Sequence, residues 1–274
     1  MLTLLWRRGK LPLLIAPRGE FNPGALSIKS WKKSLYLNLI GRLITRSKYV
    51  FWHGTNNDEC KQLNKLVNNS RKVFTARNIP SVVSQKNQTN DIDTYLRIVS
   101  VGRVCEMKNI DFALRVLHEV KCPVTYDIIG NIEDANYWSR CSRLIDTLPQ
   151  NVTVNILGPI EHDDVIDRLN SAHLFFSPTQ GENFGHAIVE ALQMGCPVLI
   201  SDMTPWKNLH ERQAGWDLPL CDEHAYVKKI QWMFDNKQEF EKFSIGARNY
   251  AKDVLEKLPS VSEHVQMFER VLKA

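Results

Sequence analysis

From residue 96 onward, apolar runs of strand length alternate with amphipathic stretches of helix length, and this restricts the chain to a parallel α/β sheet. Strands are expected at Leu96–Val101, Val124–Ile129, Val152–Leu157, His173–Ser177, Pro197–Ser201 and Gly215–Leu218. Helices at Ile110–Val120, Ala135–Leu148, His162–Asn170 and His186–Met194 fill the gaps. Crossovers of that length join parallel strands, so helices must cover both faces of a doubly wound sheet. Several strands end in glycine or a small residue: Gly102, Gly130, Gly158 and Ser201. Open α/β sheets bind ligands outside these carboxyl ends. The loops 102–109, 130–134, 158–161, 178–186 and 202–206 are therefore expected to build the site.

The flanking regions are less regular. Leu11–Ala16 is an apolar run that breaks at Pro17-Arg18-Gly19. In Ser27–Arg46, Trp31, Leu35, Leu39 and Leu43 recur four apart and share one helical face. Tyr49–His53 reads as a strand, Asn57–Val67 as a helix and Lys72–Ala76 as a short strand. Residues 81–94 are polar and read as a linker. Asp222–Ala274 reads as helical throughout, with a break at Pro259. The expected division is 1–90, a first and incomplete α/β lobe; 91–250, a nucleotide-binding domain; and 251–274, helices that pack back toward the first lobe.

The 274 residues contain no run of about 18 apolar positions of the kind that spans a membrane. The six cysteines are scattered without C-x-x-C spacing, and they read as reduced thiols of a cytoplasmic protein rather than disulfides or a zinc site. Charge is segregated. Residues 1–80 hold 15 Lys and Arg against 3 Asp and Glu, and the remainder holds 20 against 27. A basic lobe seeks an anionic partner, and an anionic membrane surface fits, with each cation near it worth ~1 kcal/mol. A solvated helix face at Lys29–Lys48 explains the same charge. No aromatic–basic signature accompanies it, so nucleic acid is not an expected partner.

The absence of G-x-G-x-x-G and of G-x-x-x-x-G-K-[ST] argues against a dinucleotide site and a P-loop. Asp91-Ile92-Asp93 has D-x-D spacing, but it lies in the linker before a strand. The informative block is Ser177–Trp206. Its strand ends at Ser177, its loop carries Gly181, Glu182 and Asn183, and a helix opens near Gly185. The backbone N–H groups of Phe184, Gly185 and His186 at that helix start form an anion site. Glu190 lies one turn past His186 on the same face. Two carboxylates, Glu182 and Glu190, thus flank a phosphate-sized gap, and carboxylates accept hydrogen bonds from sugar hydroxyls. Arg103 and Lys108, after the first strand of the alternation, add two cations suited to a diphosphate. Hydroxyls, diphosphate and hydroxyls in sequence describe a nucleotide-diphosphate sugar.

These residues resemble the retaining glycosyltransferases of family 4, the group 1 glycosyl transferases, which have the two-lobed GT-B fold. Glu182 and Glu190 match the family's E-x7-E signature, with Asn183-Phe184-Gly185 after the first Glu. Arg103 and Lys108 match its diphosphate Arg and Lys. The resemblance implies that Glu190 holds the ribose and Glu182 the donor sugar. It implies that the backbone at Phe184, Gly185 and His186 contacts sugar and phosphate, and that loops near Gly102, Gly130 and Gly158 face the donor and its base. PRGEFNPGAL (Pro17–Leu26) and FWHGTNNDE (Phe51–Glu59) resemble the closing part of the family's acceptor lobe. The family's activity implies transfer with retention from a UDP- or GDP-type donor to a polysaccharide or lipid-linked acceptor, with neither metal nor cofactor. The cysteine pattern gives a cytoplasmic location as the expectation, and the basic N-terminal lobe a place peripheral on the inner face of the cell membrane. The region before the linker is shorter than a full α/β lobe, which predicts a truncated lobe and leaves a catalytically inactive, donor-binding fragment as the alternative reading.

Overall fold

The computed structural model describes residues 12–18, 49–67, 72–80, 83, 92, 94–257 and 261–273. The chain divides into two compact units, Met1–Ile79 with Leu258–Ala274, and Pro80–Lys257. The expected helix at Ser27–Arg46, most of the linker, most of Pro17–Leu26 and the break at Pro259 lie outside the described residues.

In the first unit, strands β1 (Leu13–Ile15), β2 (Val50–Gly54) and β3 (Val73–Thr75) form a parallel sheet in the order β1-β2-β3. The central strand is buried along its length, and Val50, Trp52 and Leu63 form its core. Helix α1 (Asn57–Val67) starts where Asn56 Oδ1 accepts from Glu59 N at 2.8 Å, and Glu59 Oε2 accepts from Thr55 N and Oγ1 at 2.8 and 2.6 Å. This reciprocal pattern satisfies amide donors that a helix start otherwise leaves open. The last helix of the chain, here α8 (Val261–Lys273), belongs to this unit and buries Met267 and Val271. His53, at the end of β2, is buried; its Nε2–H donates to Ala76 O at 2.7 Å.

The second unit holds β4 (Leu96–Val101), α2 (Ile110–Glu119), β5 (Val124–Ile129), α3 (Ala135–Ile145), β6 (Val152–Gly158), α4 (His162–Ser171), β7 (Leu174–Ser177), α5 (His186–Gln193), β8 (Val198–Ser201), β9 (Gly215–Leu218), α6 (Glu223–Asp235) and α7 (Phe240–Lys257). Its six strands are all parallel, in the order β6-β5-β4-β7-β8-β9. Period-two alternation sends consecutive residues to opposite faces. Ile98, Ile128, Phe176 and Leu199 enter one core, with Trp216 and Tyr226. Val99, Ile129, Phe175 and Val198 enter the other, with Ile188 and Ala247.

Every strand and helix expected after residue 95 is present, with small shifts at the ends. Pro197 has no N–H to give the ladder, so β8 begins at Val198, while Pro197 O accepts from Phe175 N at 2.9 Å. The expectation that Asp222–Ala274 is helical throughout is corrected. Asn236 leaves the helical conformation (φ −116°, ψ 50°), and its Nδ2 donates to Trp232 O at 2.8 Å. The backbone N of Asn236 donates to the same carbonyl at 2.9 Å, α6 ends there, and a short 3-10 turn at Lys237–Glu239 leads into α7.

Candidate active site

The strand order reverses between β4 and β7. Chain connections leave these two neighbours in opposite directions, so a crevice opens at their carboxyl ends. Their ladder covers Ile98–Leu174 and Val99–Phe175. Beyond it the hydroxyl of Ser100 bridges the strands, donating to Phe176 O and lying 2.7 Å from Tyr126 Oη. Ser100, Gly102, Lys108, Ile128 and Phe176 line a narrow cleft there.

The loop after β4 is fastened to the loop after β7. Met107 O accepts from Gln180 N at 2.9 Å and from Thr179 Oγ1 at 3.0 Å. Asn109 Nδ2 donates to Pro178 O at 3.0 Å. Asn109 adopts left-handed geometry (φ 58°), which ends the 3-10 turn Glu106–Lys108 and begins α2. That turn delivers Lys108 to Glu182: Nζ lies 2.5 Å from Oε2, and the side chains are 23% and 18% exposed.

Gly185 precedes α5 with φ +81°. A Cβ there would lie 2.8 Å from Ile188 Cδ1 and 3.0 Å from Glu182 Cγ, so the helix start and Glu182 can approach only because the residue is glycine. The first amides of α5 have no acceptor within the helix and make its start electropositive. Trp206 holds the preceding loop: its Nε1 donates to Phe184 O at 2.5 Å, and the Phe184 ring meets it edge-on at 5.3 Å. His186 is exposed, with its ring 4.8 Å from that of Phe184. Asn183 is half-buried in the same loop.

Glu190 is buried in α5, and its Oε1 lies 3.2 Å from His162 Nε2 at the start of α4. Arg103 is exposed and pairs with Glu133, Nη1 lying 2.9 and 3.0 Å from the two carboxylate oxygens. Gly130 sits directly under the first loop; a Cβ there would come within 2.1 Å of Gly102 O. Gly130 N donates to Gly158 O at 2.8 Å, and Gly158 has open space where a side chain would stand.

Thus the structure puts Lys108, Glu182 and Gly185 in contact at the crevice. It brings Gly102, Gly130 and Gly158 into one backbone stack beside it. It does not join all four expected charges in one cluster of contacts: Arg103 is engaged by Glu133 and Glu190 by His162. Sequence reasoning missed His162, Glu133, Met107 and Thr179. His162 and Glu133 each follow a strand-end glycine by three or four residues, which was the available signal. Among the described residues, no group of three His, Cys, Asp or Glu side chains is arranged to hold a metal ion. No described helix is long and apolar enough to cross a membrane.

With this geometry in hand, residues 83–250 match the family model described as glycosyl transferases group 1. No curated protein sequence matches the chain. Among solved structures, HepE of Anabaena in complex with UDP-glucose is 16% identical; the match covers 99% of this chain and 74% of that one, with a TM-score of 0.74. Sucrose-phosphate synthase from Thermosynechococcus elongatus is 15% identical over 98% of this chain and 69% of its own, with a TM-score of 0.73. TarM of S. aureus, solved in complex with UDP among other ligands, is 16% identical over 89% of this chain, with a TM-score of 0.65; this chain spans 47% of its length. The likeness establishes the GT-B type of α/β fold.

Proposed function

The chain belongs to the glycosyl transferases group 1, and from that premise we propose that it transfers a sugar from a nucleotide-diphosphate donor, of UDP or GDP type, to a polysaccharide or lipid-linked acceptor. The reaction keeps the anomeric configuration and uses no metal, as in family 4. One observation carries the reading: a cation and a carboxylate, Lys108 and Glu182, meet at the switch-point crevice beside the amides of α5. That is a phosphate site next to a hydroxyl acceptor.

The work falls on charge. As the bond to the sugar breaks, negative charge grows on the departing diphosphate. In this reading Lys108, Arg103 and the start of α5 stabilise it without reorganising solvent. Arg103 is held by Glu133 in an exposed pair, and such pairs are worth about 0–1 kcal/mol. A diphosphate offers charge-assisted bonds of about 1.5–3 kcal/mol, so Arg103 can exchange partners. Glu182 accepts from donor-sugar hydroxyls, and Glu190, steadied by His162, from the ribose. The loops at Gly130 and Gly158 face the base. HepE and TarM are complexed with UDP-containing ligands, which favours a UDP-type donor. The basic N-terminal part rests on an anionic membrane at the cytoplasmic face.

Calorimetry with UDP, GDP and their sugars, followed by donor hydrolysis with and without EDTA, tests this. Binding and EDTA-insensitive turnover with a product of the donor's anomeric configuration are expected. Binding without turnover would reduce the chain to a donor-binding fragment, and no binding of any nucleotide sugar would refute the reading.

A further inference from the structure

His162 makes a contact that packing does not account for. It opens α4, where Val165, Ile166 and Leu169 are buried and share a core with Ile188 and Val189 of α5. The His162 side chain is 56% exposed and belongs to no core. It does not cap the helix either, since Glu161 holds the N-cap position and no side chain bonds there. Yet His162 Nε2 lies 3.2 Å from Oε1 of Glu190, whose side chain is only 12% exposed.

The chemistry of the contact gives it a use. Carboxylate oxygens only accept, so Nε2 carries the hydrogen. A glutamate head group turns about several torsions, and at this depth each orientation is costly unless hydrogen-bonded. An N–H from the neighbouring helix therefore selects one orientation: α5 places the carbon chain of Glu190, and α4 turns its carboxylate. A carboxylate offers about four lone-pair sites, so the His162 bond leaves room for the two hydroxyls of a vicinal diol. His186, one turn before Glu190 on α5, does not serve in this way, because its ring lies against that of Phe184 at 4.8 Å. We propose that His162 is a positioning residue: it holds the Glu190 carboxylate toward the ribose 2′- and 3′-hydroxyls, and the pair makes the chain prefer a ribonucleotide over its 2′-deoxy counterpart. The proposal rests on the assignment of Glu190 to the ribose made above and adds the residue that aligns it.

Calorimetry of the full chain with UDP and 2′-deoxy-UDP, and in parallel with GDP and 2′-deoxy-GDP, tests it. Wild type should bind the ribonucleotide of one pair about tenfold tighter than its deoxy form, or more, the scale of one charge-assisted hydrogen bond. His162→Ala should lose most of that preference by weakening the ribonucleotide alone. His162→Gln, which places an N–H near the reach of Nε2, should restore most of it. In a Glu190→Gln chain, His162→Ala should change the preference no further. Equal weakening of both nucleotides by His162→Ala, or no ribose preference in wild type, overturns the proposal. So does a further loss of preference in the Glu190→Gln chain, which would put His162 on the ribose itself. The His162 side chain is more than half exposed, so His162→Ala should melt as the wild type does; His162→Asn, whose amide falls short of Glu190, makes the same comparison if it does not. Wild type that binds no nucleotide sinks the sugar-transfer reading and this inference with it, whereas a ribose preference that survives His162→Ala sinks this inference alone.

Discussion

Replacing Lys108 by Met should damage donor binding and stability through separable causes. Lys108 Nζ lies 2.5 Å from Glu182 Oε2, with the side chains 23% and 18% exposed. Breaking a fully buried pair costs 3–5 kcal/mol, and exposed pairs return about 0.2–1. This pair lies between, so Lys108→Met should cost about 1–3 kcal/mol, mostly from the stranded carboxylate. At about 2–4 °C per kcal/mol for a domain of this size, melting should fall by several degrees. Glu182→Gln in the same chain removes the stranded charge and should restore most of that loss. Donor affinity should behave differently. On the proposed function Lys108 makes a charge-assisted bond to the diphosphate worth about 1.5–3 kcal/mol, so its loss should weaken binding ~10–100-fold. On the same reading the second substitution removes a sugar contact, so it should not bring affinity back. Thermal melts and calorimetry on the wild type, both single variants and the double variant form a complete cycle. If the double variant regains donor affinity along with stability, Lys108 acts only as the partner of Glu182, and the diphosphate role is wrong.

Other consequences follow from single contacts. Gly185→Ala places a Cβ at φ +81° and 2.8 Å from Ile188 Cδ1, so it should destabilise by at least about 1 kcal/mol and weaken donor binding as measured by calorimetry. Cys122 and Cys141 are buried, and burial raises their thiols to about 11. Cys196 is buried as well, while Cys60, Cys105 and Cys221 have access to solvent. An aromatic disulfide reagent should therefore titrate three thiols in the folded protein, Cys221 fastest, and six in guanidinium. Burial also holds the His53 imidazole below its usual range, helped by His264 and Arg18 and opposed by the Ala76 carbonyl. The unfolded chain then binds the proton more readily, so stability should drop as pH falls below about 6.5, and His53→Gln should flatten that slope in urea melts.

The second unit was legible because its signals are local and repeated. Each strand of four to seven residues is flanked by a helix with its own apolar face, and alternation such as Ile98/Val99 or Phe175/Phe176 already implies two cores. At Pro197 a local rule moved the strand's start to Val198, and β6 and β7 differ from expectation by one residue each. Gly185 was legible for the same reason, since a glycine before a helix that follows a strand signals a tight backbone approach. Side-chain partners were not. Arg103 and Glu133 are 30 residues apart, and His162 and Glu190 are 28. Nothing in composition or period marks such pairs, because they depend on which of several long side chains reach across adjacent loops. The sequence reading gathered Arg103, Lys108, Glu182 and Glu190 at one gap because it assigned every charge to the donor. Two of those charges are paired elsewhere, Arg103 with Glu133 after β5 and Glu190 with His162 at the start of α4. On the proposed function, donor binding exchanges ion-pair partners for the diphosphate and the sugar hydroxyls. Its strength then depends on how weakly each partner holds. The exposed Arg103–Glu133 pair should yield first and the half-buried Lys108–Glu182 pair last, so Glu133→Gln should tighten UDP binding modestly, by severalfold at most, while leaving melting nearly unchanged. Weaker UDP binding by Glu133→Gln in calorimetry would show that Glu133 positions Arg103 for the donor rather than competing with it.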